Sequence, residues 1–273
     1  MSHEGWLMSK PRRLHVAASG CLLALVALGP SEAAGRTLES IQSRGAIAVC
    51  AHANALPFAS RNDNPPGFQI EIARALAREL GVGLEIAWVT ILYQRSAVNC
   101  DIVLDAIVDR QVQEDSPVKV SKPYLRSGVG LALPAGAEST KTFGDFQKGK
   151  RVGVQVGSLA QMVLSQRGLQ TTPFGFEDEM IEAVSAGTLD GAAVTPAAVG
   201  YFNMTHPNTK VRLVYAYEQE PLLSWNVAVG MRGSDAALRQ RIDAAVEKLL
   251  ADGTIRDIYT RYGVEHRAPV AAH

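Results

Sequence analysis

Ser121-Lys122-Pro123-Tyr124-Leu125-Arg126-Ser127 runs straight into the apolar stretch Gly128-Val129-Gly130-Leu131-Ala132-Leu133-Pro134. A basic, proline-containing segment feeding a strand near mid-chain reads as a crossing between two lobes. A second strand of similar make-up, Trp225-Asn226-Val227-Ala228-Val229-Gly230-Met231, again divides blocks of alternating strand and helix signals. Two crossings imply a cleft between two lobes, and a protein that binds something in or across it.

The flanking patterns fit an α/β class. Residues 38–44 carry a short amphipathic pattern stopped by Gly45, and Ala46-Ile47-Ala48-Val49-Cys50 is a buried strand. After a polar, proline-rich loop over 52–66, Ile72, Ala73, Leu76 and Leu80 recur at helical spacing until Gly81. Strands follow at 84–88 and 101–104, an order that suggests parallel pairing with helical crossovers, the one before Asp101 being short. Past the first crossing, the spacing predicts a short helix at 142–147, strands at 151–156, 174–176, 192–194 and 211–217, and helices at 159–168, 180–186 and 197–204. After the second crossing, Leu238, Ile242, Val246 and Leu249 mark a long amphipathic helix, followed by Ile255, Ile258 and Tyr259.

The chain has 273 residues, 47% hydrophobic, with 27 basic and 27 acidic side chains interspersed. That is enough apolar material for one or two cores, and it leaves no electrostatic footprint for nucleic acid. Lys10, Arg12 and Arg13 precede an apolar run over 16–28, with Ser31 and Ala33 in the small-residue positions of a cleavage site. The run is too short to span a membrane, which takes about 20 residues. Residues 1–33 therefore read as a secretory signal, starting at Met1 or Met8, and the mature chain as periplasmic with a net charge of −1. Cys21 after Ser-Gly resembles a lipoprotein box, but the apolar run continues past it, leaving almost no hydrophobic region ahead of an anchor.

Two cysteines remain in the mature chain, in a compartment that permits disulfides. Cys50 sits late in its expected strand and Cys100 at the start of another, and parallel neighbours would hold the sulfurs too far apart to bond. Buried free thiols and a disulfide both stay open as readings, the geometry favouring the thiols.

Signatures of hydrolases, phosphate loops, dinucleotide sites and metal sites are missing, and no cofactor is expected. His52, beside a strand end, is the one histidine placed to reach a cleft, against the plainer reading of a surface residue. Gly157-Ser158 at a helix start after a buried strand offers N–H groups and a hydroxyl to an anion, against an ordinary helix cap. Glu177-Asp178-Glu179 reads as compensation of a helix dipole.

Four ordered stretches together resemble family 3 periplasmic solute-binding proteins: Gly67-Phe68-Gln69-Ile70-Glu71-Ile72-Ala73, the crossing at 121–127, residues 149–158, and Leu249-Leu250-Ala251-Asp252-Gly253-Thr254-Ile255-Arg256-Asp257-Ile258-Tyr259 continuing to Gly263. The resemblance implies a two-lobe periplasmic binding protein fold. Each lobe would be a mainly parallel sheet flanked by helices, with two hinge crossings and closure by hinge motion. Lobe 1 would comprise 34–127 and 227–273, and lobe 2 residues 128–226. Val49-Cys50-Ala51, Leu56-Pro57-Phe58, Asn99-Cys100-Asp101-Ile102-Val103 and Gly200-Tyr201-Phe202 are similar to the quinoprotein-dehydrogenase-associated branch.

Amino-acid-binding members carry a carboxylate-binding Arg ahead of the crossing and an ammonium-binding Asp after the strand at 192–194. Here Glu114 takes the first place, with Arg110 nearby, and Thr195 the second. Losing a bidentate Arg forfeits about 1.5–3 kcal/mol, which disfavours ordinary amino-acid uptake. The candidate ligand-binding cleft residues are His52, Phe58, Asp105, Ile107, Asp109, Arg110, Gly157, Ser158, Thr195 and Tyr201. The expectation is a non-catalytic monomer. Its partner would be a PQQ-dependent alcohol dehydrogenase or, alternatively, an ABC permease to which it delivers a small organic solute.

Overall fold

A computed structural model describes residues 36–89, 100–109, 116–146 and 149–271. The expected signal at 1–33, Arg110, Glu114 and most of the connection before Cys100 lie outside the described residues.

Helix α1 (Leu38–Arg44) starts where the Thr37 hydroxyl accepts from Ser40 N, and it leads into β1 (Ala46–His52). A small hairpin, β2 (Asn54–Ala55) with β3 (Ala59–Ser60), occupies the proline-rich loop. Helix α2 (Phe68–Leu80) buries Phe68, Ile72, Ala73, Leu76 and Leu80 and ends at Gly81. There φ is 76°, a left-handed cap that a residue with a Cβ adopts only with strain. Strands β4 (Gly83–Val89), β5 (Ile102–Ile107), β6 (Val118–Val120) and β7 (Leu125–Gly128) complete this part of the chain.

β8 (Gly130–Leu133) begins a second sheet, followed by β9 (Arg151–Gln155), α3 (Leu159–Gln166), β10 (Gln170–Phe174), α4 (Glu177–Ser185), β11 (Gly191–Val194), α5 (Pro196–Thr205) and β12 (Arg212–Val214). β13 (Ser224–Arg232) returns to the first sheet, and α6 (Ala236–Ala251) and α7 (Thr254–Arg261) close the fold. The strand expected over 211–217 is only three residues long, because the backbone turns into a 3-10 helix at Ala216–Gln219.

The first sheet has the order β4-β1-β5-β13-β6, with β7 also on β13; the second has β10-β9-β11-β8-β12. Both are mixed. β4-β1-β5 and β10-β9-β11 are parallel, whereas β13 and β8 run antiparallel to their neighbours. These two antiparallel strands are the ones entered at the crossings, β8 bringing the chain into the second sheet and β13 returning it to the first.

The first core joins Ile47, Val49, Ile102 and Val229 of the sheet to helix residues such as Leu76, Ile242 and Val246. Full burial of each such side chain contributes about 1.5–3 kcal/mol. The second sheet carries a cluster on each face, one around Val152, Val154 and Leu164, the other around Met180, Val184 and Val199. Trp225, at the start of β13, packs against both the first core and one of these clusters.

Cys50 and Cys100 form a disulfide, with Cα atoms 5.5 Å apart. The geometry that favoured free thiols required Cys100 to open a strand. Instead it precedes β5, off the ladder, and Asp101 N donates to Ala48 O while the Asp101 carboxylate accepts from Ala48 N and Arg44. That anchor brings the chain back across β1 before pairing begins.

Candidate functional site

In α/β sheets, ligands bind beyond the carboxyl ends of the parallel strands. His52 ends β1 and Ile107 ends its neighbour β5; Gly157 and Ser158 follow β9, and Thr195 follows its neighbour β11. The expected residues thus gather at the carboxyl edge of each sheet. Their side chains are committed to different degrees.

Ser158 caps α3, its hydroxyl accepting from Gln161 N at 3.1 Å, and Gly157 N donates to Gln161 Oε1 at 2.7 Å. The cap therefore uses the Gly157 N–H and the acceptor side of the Ser158 oxygen, but not the Ser158 hydroxyl proton. Thr195 caps α5 by accepting from Ala198 N at 3.3 Å, and its hydroxyl donates to Glu177 Oε2 at 2.7 Å. Thr195 N donates to the other carboxylate oxygen, also at 2.7 Å. Burial outweighs these two bonds and holds the Glu177 carboxyl above its ordinary value. Dipole compensation alone did not reveal this bidentate hold, since its partners lie 18 residues apart.

Asp105 has φ 57°, a left-handed conformation uncommon outside glycine. Ala228 pairs with Ala106 but Gly230 with Val103, so Val229 faces two residues of β5, forming a bulge. The bulge turns the Asp105 carboxylate toward the Tyr124 hydroxyl, which donates at 2.6 Å, and Gln69 Nε2, which donates at 2.7 Å. Asp105 N donates to the same Tyr124 oxygen at 2.7 Å. Burial first, then the neighbouring carboxylate, push the Tyr124 phenol well above its ordinary value. Asp105 thereby ties β5 to the first crossing, and Tyr124 and Gln69 join the site's framework without a signal in the sequence.

Phe58 packs on Phe68, ring centres 5.1 Å apart, against the first core. Tyr201 packs against that core too, its ring 6.2 Å from Tyr262, and burial raises its phenol pKa. His52 Nδ1 accepts from Asn54 N. Ile107 is 49% exposed, and Val156 and Phe176, at 62% and 55%, are the matching apolar groups on the carboxyl edge of the second sheet. Asp109 is exposed beyond β5. Among the described residues, no group of three or more His, Cys, Asp or Glu could hold a metal, and no helix is long and apolar enough to cross a membrane.

Two surface depressions, of about 420 and 430 Å³, lie elsewhere. The first is lined by Arg126, Tyr217, Glu218, Glu265 and Arg267, the second by Asp63, Arg74, Arg78, Asp257 and Arg261 among others. Neither is lined by any of the nine expected cleft residues that the structure describes.

The L-cystine-binding protein TcyJ of Escherichia coli K12 is 24% identical over 236 residues, covering 82% of this chain and 85% of that protein. Among solved structures, an ancestral cationic amino acid solute-binding protein, AncCDT-1, matches at TM-score 0.68 and 24% identity, covering 83% of this chain and 99% of that one. Periplasmic binding protein XoxJ of Methylobacterium extorquens AM1 matches at TM-score 0.64 and 22% identity, covering 81% and 99%. Both structures share the two-lobe fold. The family model for bacterial extracellular solute-binding proteins, family 3, matches residues 47–265, and the chain belongs to that family.

Proposed function

We propose that this chain is a non-catalytic periplasmic accessory of a PQQ-dependent alcohol dehydrogenase, contacting the enzyme or carrying a small ligand for it. One observation carries the reading: the hydroxyl and N–H of Thr195, the position at which the family resemblance expects an ammonium-binding carboxylate, are both spent on Glu177. An amino acid needs two opposite charges presented to it, and the Gly157 N–H is likewise spent, on Gln161. Support also comes from the resemblance to the quinoprotein-associated branch, whose paired cysteines here are Cys50 and Cys100.

A second reading, delivery of an amino acid or small organic anion to an ABC permease, draws on the likeness to the L-cystine-binding TcyJ. Calorimetric titration of the mature protein separates the two. The leading reading expects saturable binding to a purified PQQ-dependent alcohol dehydrogenase and no heat with cystine or arginine. Sub-micromolar binding of an amino acid without dehydrogenase binding would replace it with the second.

A further inference from the structure

Beyond α7 the chain does not end at the first sheet. It runs on as an extended segment whose bonds divide between the two bodies. Toward the first sheet, Arg126 N of β7 donates to Arg267 O at 2.8 Å, and His266 Nε2 lies 2.8 Å from Tyr124 O. Asn226 of β13 makes a two-way bond with the Val270 backbone, its amide donating at 2.8 Å and its oxygen accepting at 3.2 Å. The segment thus lies along both crossing strands.

Toward the second body, the Tyr215 hydroxyl donates to Glu265 Oε2 at 2.7 Å, Arg267 pairs with Glu218, and the Arg267 guanidinium lies 4.2 Å from the centre of the Tyr215 ring. Tyr215 and Glu218 flank Ala216, which is buried in a cluster of the second sheet. Just upstream, Gly263 meets Gly200 of α5, backbone against backbone. One residue, Arg267, therefore holds the first crossing through its carbonyl and the second body through its side chain.

We propose that residues 264–270 are a strap across the two chain crossings that sets the resting separation of the lobes, so that any hinge movement requires release of Tyr215 and Glu218 from Glu265 and Arg267. The strap acts on whichever ligand or partner the cleft takes, so it stands apart from the function proposed above. It also assigns the depression beside Arg126 and Tyr217 to the space between strap and hinge rather than to a ligand.

The test is Tyr215→Phe combined with Arg267→Ala, which leaves every bond to the first sheet in place. Spin labels at exposed Arg78 and Gln166, one on a helix of each body, report the separation. Wild type should give a narrow distance distribution. The variant should give a broadened one with a second population, and amides at 215–218 should exchange about tenfold faster, the loss expected for one surface ion pair and one cation–π contact. Superimposable distributions with exchange within about twofold would overturn the strap. If the double variant loses cooperative unfolding, Arg267→Ala alone, which removes both the ion pair and the cation–π contact, is read by the same two measurements and the same outcomes.

Discussion

Removing the disulfide tests how the first sheet is held. The bond closes a loop of 50 residues, spanning β1, α2, β4 and the return to β5. Opening it frees the unfolded chain, and the loop-entropy relation gives about 4 kcal/mol at 25 °C. The native side should change little, since both cysteines are buried among Ala48 and Val89 and alanine fills most of the same space. Cys50→Ala with Cys100→Ala should therefore lose about 4 kcal/mol, or roughly 8–16 °C in Tm at 2–4 °C per kcal/mol for a domain this size. Each single variant already opens the loop, so each should lose nearly as much as the pair. Urea unfolding followed by tryptophan fluorescence reads all three. The reasoning is refuted if the double variant loses less than about 1 kcal/mol, or if the single losses add. Two free thiols in the denatured, unreduced wild type would refute the bond itself.

Further perturbations probe the framework of the candidate site. A Cβ at Gly200 would collide with the Gly263 carbonyl, its carbon lying 3.1 Å away, so Gly200→Ala should cost about 1–3 kcal/mol of overpacking against at most about 1 kcal/mol gained in helix propensity. A raised Tm would contradict that close approach. Tyr124→Phe strips a donor from the Asp105 carboxylate and an acceptor from its N–H; the urea midpoint should fall by the equivalent of about 1–3 kcal/mol, and an unchanged midpoint would mean the Asp105 network carries no load. Between the ordinary carboxyl value of 4.5 and its raised value, Glu177 holds more protons folded than unfolded, so its contribution to stability falls as pH rises through that window and stays low above it. Glu177→Gln keeps both bonds to Thr195 by presenting an acceptor and a donor, so its urea midpoint should gain on wild type as pH rises above the ordinary carboxyl value of 4.5. A gap independent of pH would show that the carboxyl is not raised.

The elements were legible where short-range patterns decide them. The 3.6-residue recurrence of Ile72, Leu76 and Leu80 and the stop at Gly81 gave α2 because both are properties of neighbouring residues. The apolar runs at 128–134 and 225–231 located the two crossing strands for the same reason, although the first is divided at Val129 between β7 of one sheet and β8 of the other. What stayed hidden depends on partners distant in sequence. Whether Cys50 meets Cys100 turns on how Asp101 docks onto Ala48, 53 residues earlier, and no spacing rule contains that contact.

The candidate site divides along the same line. Its expected location followed from strand ends, so the residues at 52, 157–158 and 195 could be placed there before any contact was known, whereas Ile107 ends β5 three residues beyond the expected strand. Their availability could not, because a hydroxyl or N–H is free only if nothing else in the fold claims it. The Gly157 N–H is claimed by Gln161, the Ser158 and Thr195 oxygens by the helix N–H groups they cap, the Thr195 hydroxyl proton by Glu177, and Asp105 by a tyrosine of the first crossing. The segment that opens the first crossing thus does more than connect two bodies. Through Tyr124 it holds the bulge of β5 on one side, and through Arg126 and the Tyr124 carbonyl it holds the C-terminal segment on the other. A perturbation at either place should be felt at the hinge before it is felt at a ligand.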